Sequence, residues 1–334
     1  MKNRRLAQLL LIATSAIGLM PLYAHAQSRE HKRKDPPAAS LPDGVRATDV
    51  RFYSEGIQCF GKIFSQNGFG AESKCPAVVL APDWGQTSAS IEKYAAQFAS
   101  RGIVAMVIDY RGWGKSGGFL QTVDSVKTDD RLRFSQMTAR VRIRRKRLIP
   151  QQQILDIRNA LFYLQGEPGV DRTRVGVWGT GMSGGHVVVI AAMDSRIKAA
   201  VANLPVIAGK DVARRASAPT GGLLQAIQTR ARTGDLSNMI ASPAVDPETR
   251  LALAEYHPFW YLDQIPKTTA VLFLIKPTTA SSGKEDTDAV AASKLLRGPT
   301  DVVRIGGSDS LPDRNGAAFE TAATTAAEWF LKYL

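Results

Sequence analysis

Histidine and cysteine are scarce in this chain, which has four histidines and two cysteines among 334 residues. Protein zinc sites are built from clusters of these residues at short spacings, and no such cluster occurs. We therefore expect neither a metal site nor a bound cofactor. Cys59 and Cys75 can pair only in an oxidising compartment. The strands expected to carry them place the two thiols at opposite ends of a sheet, so the sequence does not decide whether they form a disulfide.

Long apolar runs are also lacking beyond the N-terminus. One run, Leu6 to Met20, follows three basic residues and precedes a small-residue A-x-A motif at 24–26. This order is typical of a secretory signal peptide, residues 1–26, cleaved before Gln27. The alternative is a membrane anchor, but the run is shorter than the roughly 20 residues that a spanning helix needs. We expect a periplasmic or secreted protein whose mature chain does not span a membrane.

Residues 27–46 are charged and contain proline without an apolar period, as in a solvated linker. The remaining residues, 47–334, suit one large α/β domain. The formal net charge of +13 raises nucleic acid as a partner. Export argues against that partner, so we expect no nucleic-acid binding.

Apolar strand-like runs alternate with helical periodicity along residues 47–334. The runs lie at 50–53, 60–64, 76–81, 103–108, 175–178, 197–204, 269–275 and 302–305. Continuous apolar runs are typical of strands buried on both faces. Their alternation with helices predicts a mostly parallel, doubly wound sheet. Residues from 206 to about 256 interrupt this pattern with a helical insertion rich in Ala, Arg and Ser.

A glycine-rich corner joins strand to helix between Val175 and His186. Residues 181–185 spell G-x-S-x-G, the nucleophile elbow of serine hydrolases, with Ser183 as the nucleophile. Residues 179–184 also spell G-x-G-x-x-G, the dinucleotide fingerprint. A third interpretation is an elbow that has lost its nucleophile. The dinucleotide interpretation needs an acidic residue at the end of the next strand, where Asn203 stands, so we set it aside.

Four stretches carry a family resemblance: Val78–Gly85, Asp109–Ser116 (D-Y-R-G-W-G-K-S), Arg174–His186 and His257–Pro266. Together they resemble the α/β-hydrolase superfamily, in its branch of dienelactone-hydrolase-like and X-Pro dipeptidyl-peptidase-like esterases. The resemblance covers roughly residues 49–334. It implies an α/β-hydrolase fold with a helical lid at about 206–256 and a Ser-His-Asp site.

The resemblance also assigns positions to the catalytic triad. Family enzymes place the nucleophile two residues after the glycine that ends the central strand, and that residue is Gly181, not Ser183. The acid-equivalent position, shortly after the strand ending at Ile275, is Thr279. The base-equivalent position, in the loop after the last strand, is Asp309. None of these three residues can play its usual part, so the resemblance implies a degenerate triad.

An unconventional site at Ser183 is the alternative. His186 lies three residues later, so the two side chains share one face of a helix. No acid is placed to orient that imidazole, and we favour a packed helix residue. His257, which precedes Pro258, is interpreted as a loop histidine.

Two further groups of residues are candidate ligand contacts. The backbone N–H groups of Trp84 and Met182 are expected to form an oxyanion hole that can anchor a carbonyl or carboxylate. Arg142, Arg144 and Arg145 lie in a basic insertion and can bind an anion with their guanidinium groups. The alternative for these arginines is a solvated loop, or pairing with acids such as those at 129–130.

The sequence therefore predicts an exported hydrolase-fold protein without a working triad, which binds a small anionic or carbonyl-containing ligand in the former substrate cleft. The competing hypothesis is an active esterase or peptidase that uses Ser183.

Overall fold

The protein is described from a computed structural model. The described residues are 41–123, 125, 131, 134, 136–207, 221–234, 247–277, 284–306 and 316–334. The predicted signal peptide and residues 27–40 of the predicted linker lie outside these residues. The first strand begins at Val45.

In the part of the chain that the structure describes, ten strands form an eight-stranded sheet and a separate hairpin. The strands are β1 (Val45–Ser54), β2 (Ile57–Gln66), β3 (Cys75–Ala81), β4 (Val104–Ile108), β5 (Phe119–Thr122), β6 (Val141–Arg144), β7 (Val170–Thr180), β8 (Ile197–Asn203), β9 (Ala270–Ile275) and β10 (Thr300–Arg304). The order in the large sheet is β1-β2-β4-β3-β7-β8-β9-β10, and β5 pairs with β6. Strands from β4 to β10 in that order run parallel, whereas β1, β2 and β4 pair in an antiparallel manner.

Seven α-helices accompany the sheet in the described residues. They are α1 (Glu92–Ser100), α2 (Pro150–Gly166), α3 (Met182–Met193), α4 (Gly221–Thr233), α5 (Pro247–Ala254), α6 (Lys284–Ser293) and α7 (Ala317–Tyr333). Two apolar cores lie on opposite faces of the sheet, one containing residues of α2, α3 and α6 and the other residues of α1 and α7. The predicted α/β-hydrolase architecture, a mostly parallel sheet covered on both faces, is confirmed.

Sequence patterns account for the element types. Every residue of β9 is buried, as is every residue of β3 after Cys75, which matches their continuous apolar runs. Strands β1 and β2 are joined by two residues with positive φ, Glu55 at 51° and Gly56 at 75°. Two residues with positive φ form the tight hairpin turn that suits the strand twist.

Both cysteines are free. Cys59 lies on β2 and Cys75 begins β3, and only β4 separates these strands. Cys59 lies beside the carboxyl end of β4, because Gly61 pairs with Ile108, whereas Cys75 precedes Ala77, which pairs with Val104 at the amino end. The expectation that the two thiols lie at opposite ends of the sheet is therefore confirmed.

Among the described residues, no helix is long and apolar enough to cross a membrane. The same part of the chain contains no group of three or more His, Cys, Asp or Glu residues that could hold a metal ion.

Candidate functional site

Gly181 forms the corner between β7 and α3 at the carboxyl end of the parallel sheet. Its backbone has φ 59° and ψ −121°, a region that residues with a Cβ rarely adopt. The corner is anchored by the end of β8 and the chain that follows it, because Gly181 N donates to Asn203 O at 3.0 Å and Val206 N donates to Gly181 O at 2.9 Å. The geometry is that of a strained elbow which presents residue 181 above the sheet.

A carboxylate from another loop fills the space that a side chain at this corner would occupy. A Cβ built on Gly181 would lie under 3.0 Å from three atoms of Asp83, namely Cγ, Oδ1 and Oδ2. Asp83 follows β3 and lies in the loop that was expected to form the oxyanion hole. Position 181 therefore has no side chain of its own, and Asp83 supplies a carboxylate in its place.

The same carboxylate occupies the predicted oxyanion donors. Trp84 N donates to Asp83 Oδ1 at 2.7 Å, and Met182 N donates to the same oxygen at 2.8 Å. Two backbone N–H groups that converge on one oxygen are the arrangement expected of an oxyanion hole. Here the oxygen belongs to the protein, so a ligand carbonyl can use these donors only after Asp83 moves.

The environment of Asp83 opposes its charge. Burial raises the pKa of this carboxyl above its ordinary value, although the hydrogen bonds from Met182 N and Trp84 N act in the opposite direction. No ion pair joins Asp83 to a cationic side chain of the described residues.

Ser183 lies beneath the corner. Its side chain is buried, with 1% of the residue exposed. Ser183 Oγ donates to Pro82 O at 2.5 Å and lies 2.6 Å from the Tyr110 hydroxyl. Since the serine proton goes to the carbonyl, Tyr110 donates to Ser183 Oγ. In this arrangement the hydroxyl ties the Asp83 loop and the end of β4 to α3.

His186 is held by two other residues. Its Nε2 lies 2.9 Å from Gln153 Oε1, and its Nδ1 lies 2.6 Å from the Tyr256 hydroxyl. Gln153 Oε1 can only accept, so Nε2 carries the proton and Nδ1 accepts from Tyr256. The ring is fully buried, and burial lowers its pKa to about 3. The imidazole is thus a neutral link between α2, α3 and the segment after α5.

The turn after β4 braces the Asp83 loop. Asp109 Oδ1 accepts from Ser88 N at 2.7 Å, and Asp109 Oδ2 accepts from Lys115 N at 2.7 Å. Within the same turn, Arg111 Nε donates to Asp156 Oδ1 at 2.7 Å in a buried ion pair. The D-Y-R-G-W-G-K-S motif therefore acts as a scaffold that fixes the loop carrying Asp83.

The sequence matches a known family across the elements just described. A profile of the acetyl xylan esterase (AXE1) family matches residues 40–215. This stretch covers the Asp83 loop, the β4 turn and the elbow. The chain belongs to the acetyl xylan esterase family. The predicted membership of the α/β-hydrolase superfamily is confirmed.

Individual relatives of this family member carry different names. It is 26% identical over 162 residues to the quorum-quenching protein AidA of Acinetobacter baumannii, a match over 48% of this chain and 44% of that one. It is 24% identical over 162 residues to the thiohydrolase aneE of Aspergillus aculeatus, over 48% and 42% of the two chains. The matches thus span less than half of these curated relatives.

Among solved structures, the chain is similar to the hypothetical protein PA2218 from Pseudomonas aeruginosa. The TM-score is 0.64 at 19% identity, and the match covers 92% of this chain and 99% of that one. At this level of identity the likeness shows the fold alone.

The arginines proposed to bind an anion have different surroundings. Arg145 donates to Ser116 O and Gly114 O, both at 2.7 Å, and so supports the β4 turn. Arg144 pairs with Glu248 of α5 at 3.5 Å, whereas Arg142 is exposed on β6. The structure therefore does not bring the three guanidinium groups to one point.

The remaining predicted positions are distributed as follows. Thr279 and Asp309 lie outside the described residues. His257 is buried at the start of a short 3₁₀ helix, Pro258–Gln264, and its ring lies 4.6 Å from that of Trp260. Burial lowers the pKa of His257, and a hydrogen bond to the backbone of Ala254 opposes this effect.

Sequence reasoning missed Asp83, the residue at the centre of the site. Its only signal is an acidic residue directly before the predicted oxyanion donor Trp84. Tyr110 and Gln153, which hold Ser183 and His186, were missed as well.

Proposed function

We propose that this chain is an exported member of the acetyl xylan esterase family that binds a small molecule at the elbow and does not hydrolyse esters through a Ser-His-Asp triad. One observation carries the proposal: the Asp83 carboxylate fills the space beside Gly181 and takes both backbone donors. An ester hydrolase of this fold needs a nucleophile and an open oxyanion hole at that point.

The surroundings of the two candidate catalytic side chains support the same proposal. Ser183 Oγ gives its proton to a backbone carbonyl and accepts one from Tyr110, so no general base takes its proton. His186 uses both ring nitrogens for Gln153 and Tyr256. The degenerate triad is part of the proposal and not an observation. Only the family resemblance assigns the acid position to Thr279 and the base position to Asp309.

Export is the other part of the proposal, and it rests on the signal-peptide pattern in residues 1–26. It predicts that the chain recovered from the periplasm or medium begins at Gln27. N-terminal sequencing of the recovered protein tests this. A recovered chain that keeps Met1, or recovery only with the membrane fraction, contradicts it.

A second candidate function is hydrolysis of esters or thioesters. Membership of the family favours it, as do the names of relatives such as the thiohydrolase aneE. It requires Ser183 to leave its hydrogen bonds to Pro82 and Tyr110 and to find a base.

Turnover of 4-nitrophenyl acetate and of a small acyl thioester separates the two candidates. The proposed binding function predicts that wild-type protein and the Ser183→Ala variant give the same rate, at the background of the buffer. A rate above background that Ser183→Ala abolishes, and that Ala192→Ser does not change, would establish the hydrolase instead.

A further inference from the structure

Asp83 changes which kind of chemical group the elbow can receive. An unoccupied oxyanion hole presents two N–H donors and attracts carbonyl or carboxylate oxygens. In this chain both donors are taken by Asp83 Oδ1, at 2.7 Å and 2.8 Å. What the elbow presents is therefore the other carboxylate oxygen, an acceptor.

That second oxygen, Oδ2, is available. The hydrogen bonds of the carboxylate from described residues both go to Oδ1, and no described cationic side chain forms an ion pair with it. Asp83 is half-buried. Although Oδ2 has no hydrogen-bond partner among the described residues, it is not fully enclosed by protein. It follows that Oδ2 is reachable from outside the loop that holds Oδ1.

An incompletely paired carboxylate in a partly dehydrated place favours a cationic partner. Burial of such a charge is costly unless a counter-charge and hydrogen bonds compensate. Among the described residues, the buried carboxylates Asp156 and Asp194 have cationic partners, Arg111 and Arg196. The buried Asp109 has no such partner, but both of its oxygens accept hydrogen bonds from backbone N–H groups. Asp83 has backbone N–H groups alone, on one of its two oxygens.

We infer that the ligand of this site is a small organic amine, whose ammonium group donates to Asp83 Oδ2. The inference rests on the proposed binding function and names its ligand class. It differs from the carbonyl-containing or anionic ligand that the oxyanion loop suggests, because that ligand needs donors which Asp83 already holds. The site keeps the geometry of an oxyanion hole but has the opposite polarity.

Three probes of one shape test the inference on the full mature chain: benzylamine, benzyl alcohol and benzoate. Affinities are measured by calorimetry near neutral pH in about 0.15 M salt, where the Debye length is about 8 Å and the long-range field of the basic protein is screened. Without Lys2, Arg4 and Arg5 of the predicted signal peptide, the mature chain has a formal net charge of +10, which favours benzoate. A preference for benzylamine therefore reports the local site.

We expect benzylamine to bind more tightly than either other probe. Asp83→Asn keeps the shape and removes the charge, and it should weaken benzylamine about 10- to 100-fold, as the loss of a hydrogen bond to a charged group does. Asp83→Ala frees Trp84 N and Met182 N, and we expect it to gain affinity for benzoate. Asp43→Asn makes the same charge change at an exposed position and should leave all three affinities unchanged.

Two results overturn the inference. If benzoate binds wild-type protein more tightly than benzylamine and Asp83→Asn has no effect, the site does not prefer a cationic ligand, although the protein still has a ligand-binding cleft. Binding of benzylamine that is equal in wild type and Asp83→Asn contradicts the role of Asp83. Neither result restores hydrolysis, which the turnover of 4-nitrophenyl acetate decides separately. Thermal unfolding of each variant shows whether it is folded.

Discussion

The close approach of Asp83 to Gly181 predicts that these two positions are energetically coupled. Gly181→Ala places a Cβ where the Asp83 carboxylate lies, under 3.0 Å from three of its atoms. The carboxylate must leave, and with it both hydrogen bonds to Oδ1. In an Asp83→Ala background these three atoms are absent, so the same Cβ does not meet them.

Two contributions set the size of the effect. An alanine at φ 59° and ψ −121° is strained by about 1–3 kcal/mol in either background. Expulsion of Asp83 adds the loss of two hydrogen bonds to a charged group, each about 1.5–3 kcal/mol before water replaces them. Because water recovers part of this loss, we expect a coupling free energy of about 2 kcal/mol, well above the roughly 0.5 kcal/mol expected of independent sites.

A double-mutant cycle in urea, followed by tryptophan fluorescence, measures the coupling. Gly56→Ala is the matched control, because Gly56 also has a positive φ but no atom within 4 Å of its Cβ position. It should cost the same free energy with and without Asp83. If Gly181→Ala also costs the same in both backgrounds, Asp83 does not occupy the corner and the reasoning fails.

Three further predictions concern the buried charges around the site. Burial lowers the pKa of His186 from 6.5 to about 3, so the folded state excludes a proton that the unfolded chain binds. The free energy of unfolding should therefore fall as pH drops from 6.5 toward 3, with a slope of up to about 1.4 kcal/mol per pH unit. His186→Gln should flatten this slope in acid-unfolding curves. An unchanged slope in the variant contradicts this. Burial raises the pKa of Asp83, so the unfolded chain ionises this carboxyl at a lower pH than the folded protein does. Wild type should therefore lose stability relative to Asp83→Asn as pH rises from the ordinary carboxyl pKa toward neutrality. Parallel curves of unfolding free energy against pH for the two proteins would contradict this prediction. Arg111→Met leaves the buried Asp156 carboxylate without its cation and should cost about 3–5 kcal/mol in urea unfolding, whereas Arg142→Met on the exposed strand should cost almost nothing. Equal midpoints for Arg111→Met and wild type refute the pairing.

The fold was predictable because each layer of the sheet has a local pattern in the sequence. Strand β9 is a continuous apolar run, and the structure buries all of it. The antiparallel strands β1 and β2 were predicted too short, since residues 45–49 are largely exposed and show no apolar run.

The site was predictable only where its geometry is local. Gly181 follows from the spacing between strand and helix, which involves adjacent residues. The contacts that define the site's chemistry span much longer distances along the chain: Met182 to Asp83 is 99 residues, and Ser183 to Pro82 is 101. Which rotamer Asp83 adopts, and what Ser183 bonds, depend on how separate loops meet above the sheet. No periodicity encodes such contacts.

The central claim is that this family member has no activated serine at its elbow, and labelling with a fluorophosphonate tests it most directly. The mature protein is incubated with the probe beside an active esterase of the same fold, and mass spectrometry locates any adduct. The account predicts no labelling at Ser183 under conditions that label the active esterase completely. Stoichiometric labelling of Ser183 that is lost in Ser183→Ala would contradict it and establish a serine hydrolase.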